Sequence, residues 1–398
     1  MSGSFTALAP LAGLSLAIWI YLFFFRDGFW RADQFLEAEG ARAGRAWPRV
    51  IALVPARNEA DVIAQSLKSL LAQDYPGPFS VILVDDHSSD ATTACAKEAA
   101  EALDAAEHLS LIEAGDLPVG WSGKLWALNE GLAMAVQAAP PADYLWLSDA
   151  DITHRPATLT RLVAKAEGEA RDLVSIMPRL KCEGLWGRLL IPPFIYFFQK
   201  LYPFRAVADP KRRVAAAAGG CVLLRRDALQ SAGGFAAIRD ALIDDCSLAA
   251  LIKHRKDARD GGIWLGLAQD SVSVRPYKGL TEIWNMVARS AYTQLRHSPW
   301  LLLGTLIGMT LTYLVPPLAL LTALVLGDHP SGILALAAWG LMTASSLPTL
   351  RLYGQPDWQA LSLPLAALLY SAMTLSSAGR HWRGQGGRWK DRLQAPLE

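Results

Sequence analysis

The chain has 398 residues, of which 38 are lysine or arginine and 37 are aspartate or glutamate, so its formal net charge is +1. This length accommodates one large domain or two ordinary ones, and the balanced charge argues against a protein that binds nucleic acid or another polyanion over its whole surface. Hydrophobic residues make up 52% of the chain, which is high for a soluble protein. These residues collect at the two ends of the chain.

The N-terminal apolar run covers residues 5–25 and carries no charge. Its length is that of a membrane-spanning helix, and the arginines between residues 26 and 45 predict a cytoplasmic flank. No basic residue precedes the run, and its aromatic end is a poor cleavage site for a signal peptidase. We therefore expect an uncleaved transmembrane anchor at residues 1–27.

Short β-rich runs alternate with helical stretches in the middle of the chain. One strand is predicted at residues 50–54 and a second at 80–84, each followed by a helix. A third unit begins at Lys124 and runs through a helix to a strand at 144–147. This alternation predicts an α/β domain with a mostly parallel sheet and ligands at the carboxyl ends of its strands.

Each of these strands ends in a polar cluster: PARNE at 55–59, DD at 85–86 and DAD at 149–151. Taken singly, each cluster is typical of an ordinary helix cap. Three clusters at successive strand ends, however, converge on one crevice. Two carboxylates one residue apart repel each other, and a divalent cation with oxygen ligands would supply the positive charge they lack, especially if it also neutralises a diphosphate.

The motifs PARNE, VDDHSSD, GKLWALNEGL, SDAD, GGCVLLRRDAL and LIDDCSLA follow one another along the chain. In this order they resemble the family 2 glycosyltransferases, over roughly residues 48–290. The resemblance implies a cytoplasmic domain with a nucleotide-diphospho-sugar transferase (GT-A-like) fold and a nucleotide-sugar donor. In overall layout the chain also resembles the hopanoid-associated branch of that family.

The resemblance assigns the first two clusters to the nucleoside of the donor, which is expected to be a UDP-sugar. Arg57, Glu59 and Asp86 are expected to contact uracil and ribose, together with Pro55 and Asp85. A carboxylate that accepts a ring N–H discriminates between bases, because the wrong base leaves it unpaired.

The third cluster is assigned to the diphosphate by the same resemblance. Lys124 is expected to face the diphosphate, although a solvated lysine at a helix start is the alternative. Asp149, which also belongs to the donor site, and Asp151 are expected to bracket Mg²⁺ or Mn²⁺ on the diphosphate oxygens.

Asp244 and Asp245 begin an apolar helical stretch, where carboxylates also stabilise a helix N-terminus. By resemblance, Asp245 is the base that deprotonates the acceptor hydroxyl, with Asp244 beside it. Two adjacent carboxylates in a partly dry crevice raise one pKa towards a useful value. Displacement at the anomeric carbon, with base and leaving group on opposite faces, inverts its configuration.

The chain departs from the family after the base. Family members commonly carry Q-x-x-R-W there, whereas residues 286–290 read MVARS. Arg289 is kept and is a candidate for contacting the leaving diphosphate, or else an ordinary arginine at the membrane surface. The missing glutamine and tryptophan argue against processive polymer synthesis.

The segment at 185–204 is apolar and aromatic, contains Pro192-Pro193 and carries Arg188 and Lys200 near its ends. A core helix is one interpretation. Its aromatic content and basic ends favour an interfacial segment on the bilayer, which would admit a lipid hydroxyl.

A C-terminal transmembrane region is predicted at 300–379, with three apolar runs, followed by a basic cytoplasmic tail at 380–398. Three crossings that start inside would end outside. Either one run is re-entrant or interfacial, with Pro316-Pro317 and Pro364 as candidate breaks, or the first run is two short helices. The prediction is a multi-pass protein of the cytoplasmic (inner) membrane.

We therefore expect an inverting glycosyltransferase that moves a sugar from a UDP-sugar to the hydroxyl of a hopanoid or another membrane lipid. A processive polysaccharide synthase is one alternative, but it would need a longer membrane region and an intact Q-x-x-R-W. A non-catalytic membrane scaffold is the other, and the retained Asp149, Asp151 and Asp245 count against it.

Overall fold

The computed structural model describes residues 8–37, 46–255, 262–385, 388–389 and 392–393. Packing divides the chain into two compact units. The sheet unit comprises Asp33–Lys181, Ala206–Pro276 and Gly387–Glu398, and the helical unit comprises Met1–Ala32, Cys182–Arg205 and Tyr277–Gly386. The first seven residues of the predicted anchor, the arginines at 42 and 45, and most of the basic tail beyond 385 lie outside the described residues.

Eight strands form one sheet in the sheet unit. They are β1 (Val50–Ala56), β2 (Phe79–Asp85), β3 (Leu109–Glu113), β4 (Tyr144–Ser148), β5 (Ile152–His154), β6 (Leu173–Arg179), β7 (Cys221–Arg225) and β8 (Ile263–Ser273). Their order is β3-β2-β1-β4-β7-β6-β8-β5. Six strands point the same way and β5 and β7 run against them, so the sheet is mixed but mostly parallel, as predicted.

Fourteen α-helices follow one another in the described part of the chain. They are α1 (Leu8–Ile20), α2 (Ile63–Leu71), α3 (Thr92–Glu101), α4 (Gly123–Gln137), α5 (Thr158–Gly168), α6 (Gly184–Leu201), α7 (Phe204–Ala208), α8 (Arg226–Ser231), α9 (Asp244–Lys253), α10 (Leu280–Gln294), α11 (Pro299–Met309), α12 (Val315–Leu326), α13 (His329–Leu352) and α14 (Leu363–Trp382). Short 3₁₀ or π segments lie at Tyr21–Phe25, Phe29–Arg31, Ala106–His108, Phe235–Ile238, Thr310–Leu314 and Asp357–Ser362.

The central strands are apolar along their whole length because both faces of the sheet are covered. Every residue of β1 is buried, and α2 buries Ile63, Leu67 and Leu70, which share one helix face, against the same core. β1 continues past Pro55 to Ala56, whose carbonyl accepts from Asp86 N–H at 2.8 Å. The strand therefore ends two residues later than predicted.

Several strands end or begin at the same edge of the sheet. Because β1, β2, β4 and β8 are parallel, their carboxyl ends lie at the same edge. β7 runs in the opposite direction and therefore begins there, immediately after Gly219-Gly220. Gly220 is required for close packing, since a Cβ at this position would lie 2.9 Å from Pro178 Cγ.

The helical unit contains four described helices that are long and apolar enough to cross a membrane. They are Leu8–Phe25, Pro299–Leu326, His329–Leu352 and Asp357–Trp382. Neither candidate break interrupts them: Pro316 lies in the first turn of α12, which continues α11 through a π segment, and Pro364 lies in the first turn of α14. Pro364 is tolerated there because the N–H it lacks has no helical partner in a first turn. Within the continuous span that contains Pro316, the Thr312 carbonyl accepts from Trp19 Nε1 at 2.7 Å instead.

Helix α6, predicted as an interfacial segment, contains Pro192 and Pro193 in its interior. Pro192 cannot donate to the carbonyl of Arg188, and the Gln359 amide donates to that carbonyl instead. Tyr370 Oη donates to the Leu190 carbonyl at 2.8 Å. Helix α6 thus packs within the helical unit, and its position at a membrane surface stays a prediction.

Candidate active site

The loops that follow β1 and β2 are bonded to each other. Arg57 Nη1 donates to the carbonyl oxygens of Asp86 and His87, and it lies 3.7 Å from the Asp86 carboxylate. Asn58 Oδ1 accepts from Ser89 N–H at 2.8 Å. These contacts fix the arginine and the buried Asp86 side by side, as the prediction of a shared nucleoside site requires.

Asp85 Oδ1 and Arg57 Nε at this edge are buried without a hydrogen-bond partner among the described residues. The other oxygen of Asp85 accepts from Ser88 N–H at 3.1 Å. Buried polar atoms without partners cost free energy. An acceptor and a donor are therefore available here for a ligand.

Arg275, which the sequence interpretation missed, connects two of the predicted site residues. Its guanidinium pairs with the Glu59 carboxylate and lies 3.3 Å from Asp151 Oδ2. Ser273 Oγ donates to the same Asp151 oxygen at 3.0 Å. A basic residue directly after β8, at the edge where the other clusters lie, was the signal that could have identified it.

Lys124 lies at the first turn of α4, which Ser122 caps by accepting from Leu125 N–H. Its Nζ lies 2.8 Å from Asp149 Oδ1 and 3.1 Å from Asp244 Oδ2. Burial opposes the charge of this ammonium, but the two carboxylates raise its pKa above the ordinary value. Lys124 is therefore a fixed cation between the end of β4 and the start of α9.

Asp245 differs from Asp244 in its partners. It accepts from Gly219 N–H at 3.0 Å and from Cys246 N–H at 2.7 Å, whereas Asp244 pairs with Lys124. Burial and the neighbouring Asp244 raise the pKa of Asp245 to about 6, against the opposite effect of Lys124. A Cβ on Gly219 would lie 3.3 Å from Lys124 Nζ and 3.5 Å from Asp245 Oδ2, so both groups border the same point.

A buried histidine supports the end of β4. His154 Nε2 lies 3.0 Å from Ser148 Oγ, and its Nδ1 lies 2.8 Å from Ser271 Oγ. Burial lowers the pKa of His154 to about 3, so the imidazole is neutral near pH 7. It holds the residue before Asp149 without adding charge to the site.

An open cleft of about 340 Å³ unites part of this constellation. Its polar lining includes Lys124, Asp149, Gly219, Asp244 and Asp245. Its apolar lining includes Pro55, Leu125, Leu128, Val222, Phe235 and Leu248. The predicted diphosphate lysine, strand-end aspartate and base thus share one cavity.

The remaining predicted residues lie elsewhere. Arg57, Glu59, Asp85 and Asp86 belong to the neighbouring ends of β1 and β2, outside the cleft lining. Arg289 lies exposed on α10 in the helical unit, where Val287 and Ala288 are buried. Its contact with a diphosphate stays a prediction.

The surroundings of Asp149 and Asp151 differ in one respect from what the sequence predicts. A metal was expected to supply the positive charge that these carboxylates lack, but Lys124 and Arg275 already contact them. Among the described residues, no three His, Cys, Asp or Glu side chains gather as a metal site. Asp149 and Asp151 would therefore supply at most two ligands to a metal bound here. Oxygen atoms of phosphate or water would complete its coordination shell.

Residues 51–233 match the model of the family described as Glycosyl transferase family 2. This part of the chain is similar to that family. The prediction of a glycosyltransferase from the ordered motifs is thereby confirmed. No curated protein sequence matches the chain.

Two solved structures are similar to this chain. The mannosyltransferase PcManGT from Pyrobaculum calidifontis, in complex with GDP-Man and Mn²⁺, is similar with a TM-score of 0.52 and 20% identity, over 94% of this chain and 99% of that one. Glucosyl-3-phosphoglycerate synthase from Mycobacterium tuberculosis, in complex with Mn²⁺, UDP and glucosyl-3-phosphoglycerate, has a TM-score of 0.39 and 22% identity, over 65% of this chain and 81% of that one. The predicted GT-A fold is confirmed by the first of these similarities.

Proposed function

We propose that the protein is a membrane-bound inverting glycosyltransferase that moves a sugar from a UDP-sugar to the hydroxyl of a membrane lipid, such as a hopanoid. The observation that carries this proposal is that Asp244 and Asp245 have different partners. Lys124 neutralises Asp244, whereas two backbone amides orient Asp245 in the same cleft. A carboxylate held this way, with a raised pKa, suits a general base.

In the proposed reaction, Asp245 accepts the proton of the acceptor hydroxyl. The acceptor oxygen forms a bond to the anomeric carbon as the bond between that carbon and the diphosphate oxygen breaks. The nucleoside diphosphate leaves with the electron pair, and Lys124 lies beside Asp149 where it can offset the charge of that group. The buried acceptor on Asp85 and the donor on Arg57 would hold the nucleoside.

Asp149 and Asp151 would hold Mg²⁺ or Mn²⁺ together with the diphosphate. The residues fit this role, since each carboxylate uses one oxygen for its protein cation and the second oxygen contacts no described residue. One or two carboxylates plus substrate phosphates are a usual set for Mg²⁺. When bound, the ion neutralises charge on the leaving diphosphate. The Mn²⁺ in the mannosyltransferase complex supports this assignment.

The lipid acceptor is supported by the helical unit. Four described helices are long and apolar enough to cross a membrane, which supports a membrane location, and exposed apolar side chains usually mark a partner surface. These features favour an acceptor that resides in the bilayer over a soluble one.

The test is a screen of radiolabelled UDP- and GDP-sugars with the purified protein and membrane lipid extract. We expect label to enter the organic phase with one UDP-sugar, and to stay aqueous with the Asp245→Asn variant. Label in a long aqueous-soluble polymer would indicate a polysaccharide synthase. Absence of transfer with every donor, by a folded protein, would indicate a scaffold.

The cytoplasmic location of the catalytic site is tested separately. Val119 is 95% exposed on the sheet unit, so Val119→Cys offers an accessible thiol. We expect an impermeant maleimide to label this variant above the wild-type background only after the cells are permeabilised. Labelling in intact cells would place the site outside.

A further inference from the structure

Two cations of the sheet unit contact the carboxylates that follow β4. Lys124 Nζ lies 2.8 Å from Asp149 Oδ1, and Arg275 Nε lies 3.3 Å from Asp151 Oδ2. Asp149 and Asp151 are two residues apart, so their Cα atoms are separated by at most about 7.6 Å. The two cations are therefore held at neighbouring points of the same edge of the sheet.

The second partners of these cations differ. Arg275 also pairs with Glu59, which is expected to contact the nucleoside. Lys124 also pairs with Asp244, the neighbour of the proposed base, at 3.1 Å. These contacts place the nucleoside residue, Arg275, the two strand-end aspartates, Lys124 and the base in that order. A nucleotide sugar has a matching order of groups, which is nucleoside, α-phosphate, β-phosphate and anomeric carbon.

The guanidinium of Arg275 is accessible to a ligand. Its side chain is 39% exposed, compared with 10% for Glu59 and 19% for Asp151. It contacts these two carboxylates through Nη2 and Nε, and its Nη1 donates to no described residue. The backbone beside it is fixed, because Val274 N–H donates to the Asp151 carbonyl at 2.8 Å. Arg275 therefore offers N–H groups of Nη1 to an anion from a fixed position.

We propose that Arg275 binds the α-phosphate of the nucleotide-sugar donor, beside the nucleoside, while Lys124 faces the β-phosphate, beside the bond that breaks. This inference rests on the proposed function, because it assigns the two phosphates of that donor. The carboxylates of the site repel a diphosphate, so each phosphate binds where a cation offsets the repulsion. A guanidinium suits this role because its planar N–H groups donate to two phosphate oxygens at once.

The test compares ligands that differ by one phosphate. The affinities of the full-length protein for uridine, UMP and UDP are measured by calorimetry in excess chelator, without an acceptor. The wild type should bind UMP more tightly than uridine, and UDP more tightly than UMP. Arg275→Gln should lose about tenfold or more in affinity for both UMP and UDP, because a charge-assisted bond to the α-phosphate is removed. It should bind uridine as the wild type does. Lys124→Gln should lose affinity for UDP alone.

Arg155→Gln is the matched control, since it removes an exposed arginine that pairs with Asp270, and it should bind all three ligands normally. Unchanged UMP affinity in Arg275→Gln would overturn the proposal, and so would an equal loss for uridine and UMP, which indicates a structural role. Wild-type protein that binds UMP no more tightly than uridine would overturn it too.

The same measurements with guanosine, GMP and GDP separate this inference from the proposed function. An effect of Arg275→Gln that is confined to the guanosine series would support the α-phosphate assignment while the UDP-sugar donor is wrong. The expected losses of UMP and UDP affinity in a protein that transfers no sugar would likewise support the assignment while the proposed reaction fails.

Discussion

The site cations of the sheet unit and Lys200 of the helical unit have different partners. In the site, Lys124 contacts Asp149 and Asp244, and Arg275 contacts Glu59 and Asp151. Lys200 contacts a hydroxyl and aromatic rings instead. The opposite charges in the site therefore balance each other before any ligand binds.

These ion pairs explain how a site with many carboxylates is stable before its substrate binds. A bound diphosphate and its metal would change the local charge around Lys124 and Arg275. Asp245 accepts from two backbone amides, and burial and Asp244 raise its pKa. The following predictions alter the charge balance of the site, in order of decreasing effect.

Removing the proposed base should have the largest effect. Asp245→Asn should reduce the rate of sugar transfer by on the order of 10² to 10⁴, which is the usual contribution of a positioned general base. Donor affinity, measured by calorimetry with the nucleotide sugar, should survive because this carboxylate is not needed to bind the nucleoside. Asp244→Asn is the matched variant and should cost less. Normal transfer by Asp245→Asn, or an equal loss of donor binding, would contradict the assignment.

Removing the metal, or its proposed ligand, should abolish most turnover. Excess chelator should stop transfer, and added Mn²⁺ should restore it, because the charge on the leaving diphosphate is otherwise uncompensated. Asp151→Asn should lose at least about tenfold in rate while folding normally, as judged by circular dichroism and thermal unfolding. Full activity in chelator would show that Lys124 and Arg275 alone provide the required positive charge.

Arg275 affects the proposed metal site because its guanidinium contacts Asp151. In Arg275→Gln, the affinity for Mn²⁺ without nucleotide should increase by about fivefold to tenfold, since the guanidinium no longer repels an ion bound to the same carboxylate. Electron paramagnetic resonance of free Mn²⁺ measures this affinity independently of activity. Arg155→Gln, which removes an exposed arginine paired with Asp270 at 3.1 Å, is the control. Unchanged or weaker Mn²⁺ binding in Arg275→Gln would show that Arg275 supports the metal site rather than competing with it.

The smallest effect concerns pH. Asp245 must be ionised to accept a proton, so the transfer rate should rise with pH and reach half of its plateau near pH 6. Asp244 raises the pKa of Asp245, so Asp244→Asn should shift this midpoint to lower pH. The measurement is a pH profile of kcat/KM for the donor in both proteins, because kcat/KM reports the pKa values of the free enzyme. A midpoint that moves to higher pH in the variant would contradict the stated electrostatics.

Much of the candidate site was predictable because parallel strands bring their carboxyl ends to one edge. The order of PARNE, VDD and DAD along successive strands therefore predicted the neighbourhood of Arg57, Asp86 and Asp149. Arg275 was not predictable in the same way. It follows β8, and only the pairing of β8 with β6 and β5 brings it to Asp151.

The amino-acid sequence by itself determined the alternating α/β pattern, the apolar helices and the resemblance to family 2 glycosyltransferases, because these depend on local periodicity and ordered motifs. Only the tertiary structure decided which cation neutralises which carboxylate, and that Asp245 is held by the amides of Gly219 and Cys246 while Asp244 pairs with Lys124. Adjacent residues in the chain have nearly the same sequence context. Their partners come from strands and helices far away in the chain, and ion pairs form over a few ångströms of space, which no spacing along the sequence records.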